Sequence, residues 1–256
     1  MSRSRPANPL WKRLQRRWRA WRGYDQVKTH EVDWVWEGGV RYKRVTFQSR
    51  AEADAVAAAL NAMAPIQRFP SLVRAEGSAI WVDYLDKDRF SAIESSALGS
   101  FFVELYGHQA ATQTLEPATT LLVAMVNDLS ALEQASLLNA AQCQAIDQFA
   151  HKLAPAMVST GFDYVDAVEK NFLVSDGRLM GIDVEALLGD QWLGMGLAKA
   201  EYRGLLDVES VVQSLGDPFA QQYPLVRLAF LVSYFQQKLE QGKPGHIRVS
   251  ALLDLI

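Results

Sequence analysis

Between positions 161 and 185 the chain reads Gly161-Phe-Asp-Tyr-Val-Asp166-Ala-Val-Glu-Lys-Asn171-Phe-Leu-Val-Ser-Asp-Gly-Arg-Leu-Met-Gly-Ile-Asp183-Val-Glu185. An aspartate is followed five residues on by an asparagine, then by an apolar hairpin turning at Asp176-Gly177, then by two carboxylates, Asp183 and Glu185. Carboxylate and amide oxygens are the ligands a hard cation such as magnesium takes, and a carboxylate held in a loop can act as a general base. Far upstream, Val40-Arg41-Tyr42-Lys43-Arg44-Val45 places a lysine within a β-rich segment, just before a helical one. Singly, Asp166 reads as a solvated loop acid, Asn171 as a turn residue and Lys43 as an exposed strand residue. Their order and spacing are what raise the question of chemistry.

That order resembles the catalytic segment of protein-kinase-like enzymes. Within them it is most similar to the bacterial lipopolysaccharide core kinases, with their G-x-x-H-G-D-x-x-P-x-N-h-h-h and I-D-x-E motifs. Gly161, Asp166, Asn171, Phe172, Leu173, Val174, Ile182, Asp183 and Glu185 fall at the matching places. The resemblance implies an α+β, bilobed kinase-like fold, with a small β-rich N-lobe carrying one helix and a larger, mainly helical C-lobe. It implies ATP and Mg2+ as cofactors and a hydroxyl acceptor, a lipid-linked sugar of the lipopolysaccharide inner core before others.

Phosphoryl transfer depends on positioning and charge neutralisation more than on covalent chemistry. On the resemblance, Asp166 holds the acceptor hydroxyl as base, while Asn171 and Asp183 are magnesium ligands, with Glu185 a further ligand or a brace for the loop. Lys43, at the third-strand position of kinases, pairs with the α- and β-phosphates. A carboxylate on the next helix steadies it, Glu52 before Asp54. Ala79-Ile-Trp-Val-Asp83-Tyr84-Leu85 resembles the strand into the hinge, where the backbone of Asp83 and Leu85 meets adenine. The segment Arg227-Leu-Ala-Phe-Leu-Val-Ser-Tyr234 resembles the family's final helix.

The sequence also departs from the pattern. Tyr164-Val165 replaces the His-Gly or His-Arg pair before the catalytic aspartate, and a buried tyrosine hydroxyl can brace the loop instead. Glu169-Lys170 stands where proline is usual, and there is no G-x-G-x-x-G loop. These departures keep a second reading open, a pseudokinase that serves as a membrane- or partner-binding module.

The elements that must position these residues are legible in outline. Strands are expected at 30–36 and 40–47 with a tight Glu37-Gly38-Gly39 turn. A helix follows, capped by Ser49 with Glu52 at capping-box spacing and closed by Pro65. Strands are expected again at 71–75 and 78–84. Helices are expected at 92–106, 116–125, 128–138 and 141–158, the last ended by Gly161, and one more at 224–239. The division is a basic arm at 1–23, an N-lobe at 24–84 and a C-lobe at 85–256 with the catalytic segment at 161–185.

Composition narrows the class. Hydrophobic residues make up 49% of 256, enough for a substantial core. One cysteine, Cys143, excludes a disulfide framework and a cysteine zinc cluster. The histidines His30, His108, His151 and His246 lack metal-binding spacing, G-x-S-x-G is absent, and Gly194-Met-Gly196 reads as a turn beside a helix. Net charge is −3, but residues 1–22 hold eight Arg and Lys and no acid. Removing these from the total of 26 leaves 18 basic against 29 acidic residues, so the body carries about −11. An acidic body argues against a nucleic-acid partner. Leu10, Leu14, Trp18 and Trp21 share one face of a predicted helix among those arginines, which suits an anionic membrane surface first, then packing on the N-lobe itself, then an RNA or protein partner. The expected location is the cytoplasm, peripheral on the inner face of the inner membrane, since no signal or spanning segment is visible.

Overall fold

The computed structural model describes residues 30–86, 92–110 and 113–256, so the 1–22 arm lies outside the described residues. Strands β1 (Glu31–Glu37) and β2 (Val40–Thr46) form a hairpin in which Trp34 faces Lys43. Gly38 and Gly39 make its two-residue turn at φ +57° and +84°. Two consecutive positive φ values are what such a turn requires, and glycine adopts them without steric cost.

Helix α1 (Arg50–Met63) follows, and its start is built by local hydrogen bonds. The Glu52 N–H donates to Ser49 Oγ (3.2 Å), and the Gln48 N–H donates to the Glu52 carboxylate (3.2 Å). Ala53, Val56, Leu60 and Met63 recur every three or four residues and turn one face into the core. Strands β3 (Leu72–Glu76) and β4 (Ala79–Asp83) complete an antiparallel sheet of order β1-β2-β4-β3. Lys43 therefore lies on the second described strand, between Trp34 of β1 and Val82 of β4.

The larger lobe begins with α2 (Ser95–His108), β5 (Thr114–Pro117), α3 (Ala118–Gln134) and α4 (Ala140–Leu153). Then come β6 (Met157–Tyr164), the hairpin β7 (Phe172–Ser175) and β8 (Arg178–Gly181), and β9 (Leu187–Trp192). Helices α5 (Met195–Tyr202), α6 (Glu209–Leu215), α7 (Phe219–Glu240) and α8 (Val249–Leu253) finish it. A second sheet has the order β5-β6-β9. This is the bilobed α+β architecture expected from the motifs.

Two helical expectations need correction. The segment 116–138 holds one helix to Gln134 rather than two, because Leu121, Met125, Leu129 and Leu132 keep the apolar rhythm through Asn127-Asp128. Helix α4 stops at Leu153, not 158, since Pro155 drives Ala154 into extended backbone (ψ 118°). The chain then enters β6, and Gly161 sits inside that strand rather than ending a helix. Gln109 explains the glycine. Its carboxamide exchanges two hydrogen bonds of 2.6 Å with the Phe162 backbone, and a Cβ at 161 would come within 2.5 Å of its Oε1.

The lobes are joined near the catalytic segment. Tyr164 is fully buried, with its ring centroid 5.6 Å from Phe69, 5.7 Å from Phe101 and 5.2 Å from Phe172. Aromatic pairs of this kind add about 0.5–1.5 kcal/mol each beyond area burial. Beside them Arg68 forks onto Glu104 (2.8 and 2.5 Å) and donates to the Leu179 carbonyl (3.2 Å). The link between lobes is thus both apolar and bidentate.

Candidate active site

The loop between β6 and β7 folds on itself. The Asn171 side chain donates through Nδ2 to the Asp166 carbonyl (2.8 Å) and to Asp166 Oδ2 (2.9 Å). Its N–H donates to the Val168 carbonyl (2.9 Å), closing a 3-10 turn, Glu169–Asn171. With Nδ2 facing Asp166, the opposite amide atom, Oδ1, is the one turned away from that aspartate.

Tyr164 carries the bracing that the sequence left to it. Its hydroxyl donates to the Asn171 carbonyl (2.8 Å) and accepts from the Asp183 N–H (3.1 Å). The loop holding Asp166 and Asn171 is therefore tied to the segment holding Asp183 through one buried oxygen. Asp163 supports the same loop from beneath. Its Oδ1 accepts from Tyr106 Oη (2.8 Å) and the Tyr164 N–H (2.7 Å), and its Oδ2 from the N–H groups of Gly194 (3.1 Å) and Gly196 (3.0 Å). Burial pushes the Asp163 carboxyl up to about 6 against the pull of those four donors. A Cβ at Gly196 would lie 2.3 Å from the Tyr164 carbonyl, so only glycine lets α5 begin this close.

A cleft of about 260 Å³ lies between the lobes. Lys43, Asp83, Leu85, Asn171, Asp183 and Glu185 all line it, with Tyr84, Leu173 and Ile182. Lys43 Nζ donates to the Ile182 carbonyl (2.8 Å) and lies 3.5 Å from Glu185 Oε2. The Asp83 N–H is donated to the Ser71 carbonyl (3.0 Å). Of its two backbone groups it is the carbonyl that could serve a nucleobase.

Glu52 is not in this cleft. It sits exposed on the first turn of α1, where Ser49 Oγ caps the helix and the Glu52 carboxylate accepts from the Gln48 N–H. Asp54 is also exposed and pairs with Arg50 (3.3 Å). The carboxylate beside Lys43 is Glu185, which corrects the expectation of a helix partner. The local backbone bond at the helix start occupies the acid instead.

Glu185 has a second neighbour that sequence reasoning set aside: His30 Nε2 lies 2.6 Å from Glu185 Oε1. His30, Asp183 and Glu185 each offer a ligand atom within 4.8 Å of one another. Burial raises Glu185, but the His30 contact and the Lys43 ammonium outweigh it and hold its carboxyl below the usual range. Asp183 goes the other way, pushed up by burial and then by the neighbouring Glu185 carboxylate. The Asp183 carboxylate and the Asn171 amide line the same cleft and offer oxygen donors of the kind magnesium takes, with His30 a nitrogen donor beside them.

Asp166 opens onto a different and larger cleft, of about 850 Å³. Lys199 of α5 reaches Asp166 Oδ1 at 3.2 Å and is only 12% exposed. Neither Lys199 nor Asp163 was singled out from sequence. Lys199 lies on no motif, and its pairing with Asp166 is tertiary.

No family model matches the chain, and no curated protein matches it. Solved structures do match. A protein assigned as a fructosamine-3-kinase from Thermobifida fusca aligns at TM-score 0.60 and 13% identity, over 90% of this chain and 89% of that one. A macrolide 2′-phosphotransferase from Brachybacterium faecium aligns at 0.55 and 16% identity, over 87% of each. A choline kinase from Streptococcus pneumoniae aligns at 0.54 and 11% identity, over 97% and 96%. At such identities the likeness is one of fold, that of the kinase-like phosphotransferases.

Proposed function

We propose that this chain is an ATP-dependent phosphotransferase acting on a hydroxyl acceptor, with a sugar of the lipopolysaccharide inner core as the acceptor that the motifs favour. One observation carries the reading. Side chains from four separate segments, Lys43, Asp83–Leu85, Asn171 and Asp183–Glu185, line a single cleft, and Asn171 hands that cleft on to Asp166.

In this reading the acceptor oxygen forms its bond to the γ-phosphorus while the bond from that phosphorus to the β–γ bridging oxygen breaks. The electron pair leaves on ADP, and the hydroxyl proton passes to the Asp166 carboxylate. Each Asp166 oxygen receives one donor, Asn171 on Oδ2 and Lys199 on Oδ1, which fixes the carboxylate and leaves lone pairs for the hydroxyl. Lys43 must exchange the Ile182 carbonyl for phosphate oxygens, steadied by Glu185. Asp183 and the Asn171 side-chain Oδ1 would hold magnesium, which would neutralise phosphate charge when bound.

The test is transfer of label from γ-labelled ATP to purified lipopolysaccharide core, with simple hydroxyl compounds as alternative acceptors. Transfer that needs magnesium and vanishes in Asp166→Asn supports the proposal, and label appearing only as free phosphate, or not at all, contradicts it. The basic 1–22 segment fits a lipid-linked acceptor by drawing the domain to an anionic surface. Unchanged liposome association after its deletion would remove that part. Among the described residues, no helix is long and apolar enough to cross a membrane.

A second reading rests on the front of the cleft. The β1–β2 turn is only Gly38-Gly39, too short to wrap a triphosphate as a glycine-rich loop does, and Lys43 is tethered to Ile182. A kinase-shaped binding module would show these features and no turnover.

A further inference from the structure

The larger cleft has a character opposite to that of the molecule around it. Five cations line it: Lys170, Lys199, Arg203, Lys238 and Lys243. Only two carboxylates join them, Asp166 and Glu169. The body outside the first 22 residues carries 18 basic against 29 acidic residues. A net positive cavity on so acidic a body is a local feature that focuses potential inward.

Most of these cations lack an acidic partner, although Lys238 donates to Gln241 Oε1 (3.0 Å). Among the described residues, Lys199 alone has a carboxylate within 4 Å, the Asp166 partner. Lys170, Arg203, Lys238 and Lys243 have none. Helix geometry sets the cluster. Lys199 and Arg203 are four residues apart at the end of α5, and Tyr234 and Lys238 are four apart on α7, so each pair shares one face. The Lys199 and Lys238 ammonium groups both lie against the Tyr234 ring, 4.7 and 4.9 Å from its centroid. Burial, then the like charges of Lys199 and Lys243, press the Lys238 ammonium toward its neutral form. Five cations against two carboxylates leave a net positive cluster, which an entering anion would relieve.

We infer that this cleft recognises an acceptor that is already anionic, its phosphate or carboxylate groups flanking the receiving hydroxyl and meeting Lys199, Arg203, Lys238 and Lys243. The inference rests on the phosphotransferase reading and narrows it to acidic sugars rather than neutral or cationic alcohols. A cavity of about 850 Å³ exceeds a single sugar ring and suits a multi-unit headgroup. Lys170 lines both clefts, where it screens the repulsion between an anionic acceptor and the triphosphate. Charge-assisted contacts are roughly twice as strong as neutral ones, so these four side chains set acceptor choice.

The experiment is equilibrium binding to the full chain of four probes at one ionic strength: glucose 6-phosphate, glucuronate, glucose and choline. MgATP binding is measured in parallel on the wild type and on the double variant Arg203→Met, Lys238→Met, neither position lining the nucleotide cleft. The expected result is that an anionic sugar binds at least about tenfold more tightly than glucose or choline, weakens with salt, and loses about tenfold or more in the double variant. MgATP affinity in that variant stays unchanged, which also shows that it is folded. Preference for glucose 6-phosphate assigns phosphate, and preference for glucuronate assigns carboxylate. The inference is overturned if choline or glucose binds as well as the anionic sugars, if neither anionic sugar binds at millimolar concentration, or if the double variant binds them unchanged. Anionic sugar binding without any MgATP binding sinks the phosphotransferase reading while leaving the anion pocket standing.

Discussion

The two clefts that meet at Asn171 and Lys170 are built by different means. The smaller one is assembled from strand ends and turns, each contributing one or two side chains of demanding type: an amine, an amide and two carboxylates. The larger one is assembled from helix faces, α5 and α7, and its lining is ordinary lysine, arginine, tyrosine and glutamine. In the proposed reading the first serves a reaction, because a triphosphate and a hard cation need particular atoms at particular places. The second then serves a choice of partner, because charge and volume can be supplied by many residue types. The backbone around the first is over-determined by Tyr164 and Asp163, whereas the second sets the faces of α5 and α7 against the 165–170 loop, tied by the Lys199–Asp166 pair.

The sharpest way to break this division is Asp166→Asn, at the boundary. It should lower kcat by about 10²–10⁴-fold with MgATP affinity unchanged. An equal loss of nucleotide binding in isothermal titration would mean the clefts are not separable. Next in size is Glu185→Gln, which leaves Lys43 and His30 beside a neutral amide. Breaking a buried pair of this kind costs about 3–5 kcal/mol, and nucleotide affinity should fall with it. Its control is Glu52→Ala, which removes only an exposed hydrogen bond from the Gln48 N–H, costs about 0.5 kcal/mol and leaves turnover untouched. Should Glu52→Ala abolish turnover while Glu185→Gln does not, the assignment of Glu185 as the carboxylate of Lys43 is wrong. Third is Tyr164→Phe, which strands the Asn171 carbonyl and the Asp183 N–H at about 1–3 kcal/mol by urea unfolding. It should reduce kcat more than it raises the KM for ATP, since the loop geometry loosens while the cleft remains.

The same division explains what the sequence made legible. Asp166, Asn171, Asp183 and the hairpin between them are close along the chain, so spacing alone constrains where they stand. Lys43 and Asp83 could be placed because strand pairing propagates register over many residues. Glu52 misled because one motif, Ser49 with an acid three residues on, supports both a cap and a lysine partner, and the local hydrogen bond won. His30 was passed over because its partner lies more than 150 positions away, and no periodicity reports such a contact. Lys199, Arg203 and Lys238 were invisible for a related reason. Helical spacing says which residues share a face, but not which two faces look at each other across a cavity. The break expected at Val126-Asn127 and the helix expected to run past Pro155 are local misreadings, one overruled by packing and the other by proline sterics.

Magnesium-dependent nucleotide binding puts the smaller cleft to the most direct test. Thermal unfolding of the full chain should shift upward with MgATP, much less with ATP alone, and not at all in Asp183→Ala. A wild-type chain that shows no shift at millimolar MgATP, or an Asp183→Ala chain that shifts as the wild type does, would contradict the convergence of amine, amide and carboxylate on one triphosphate.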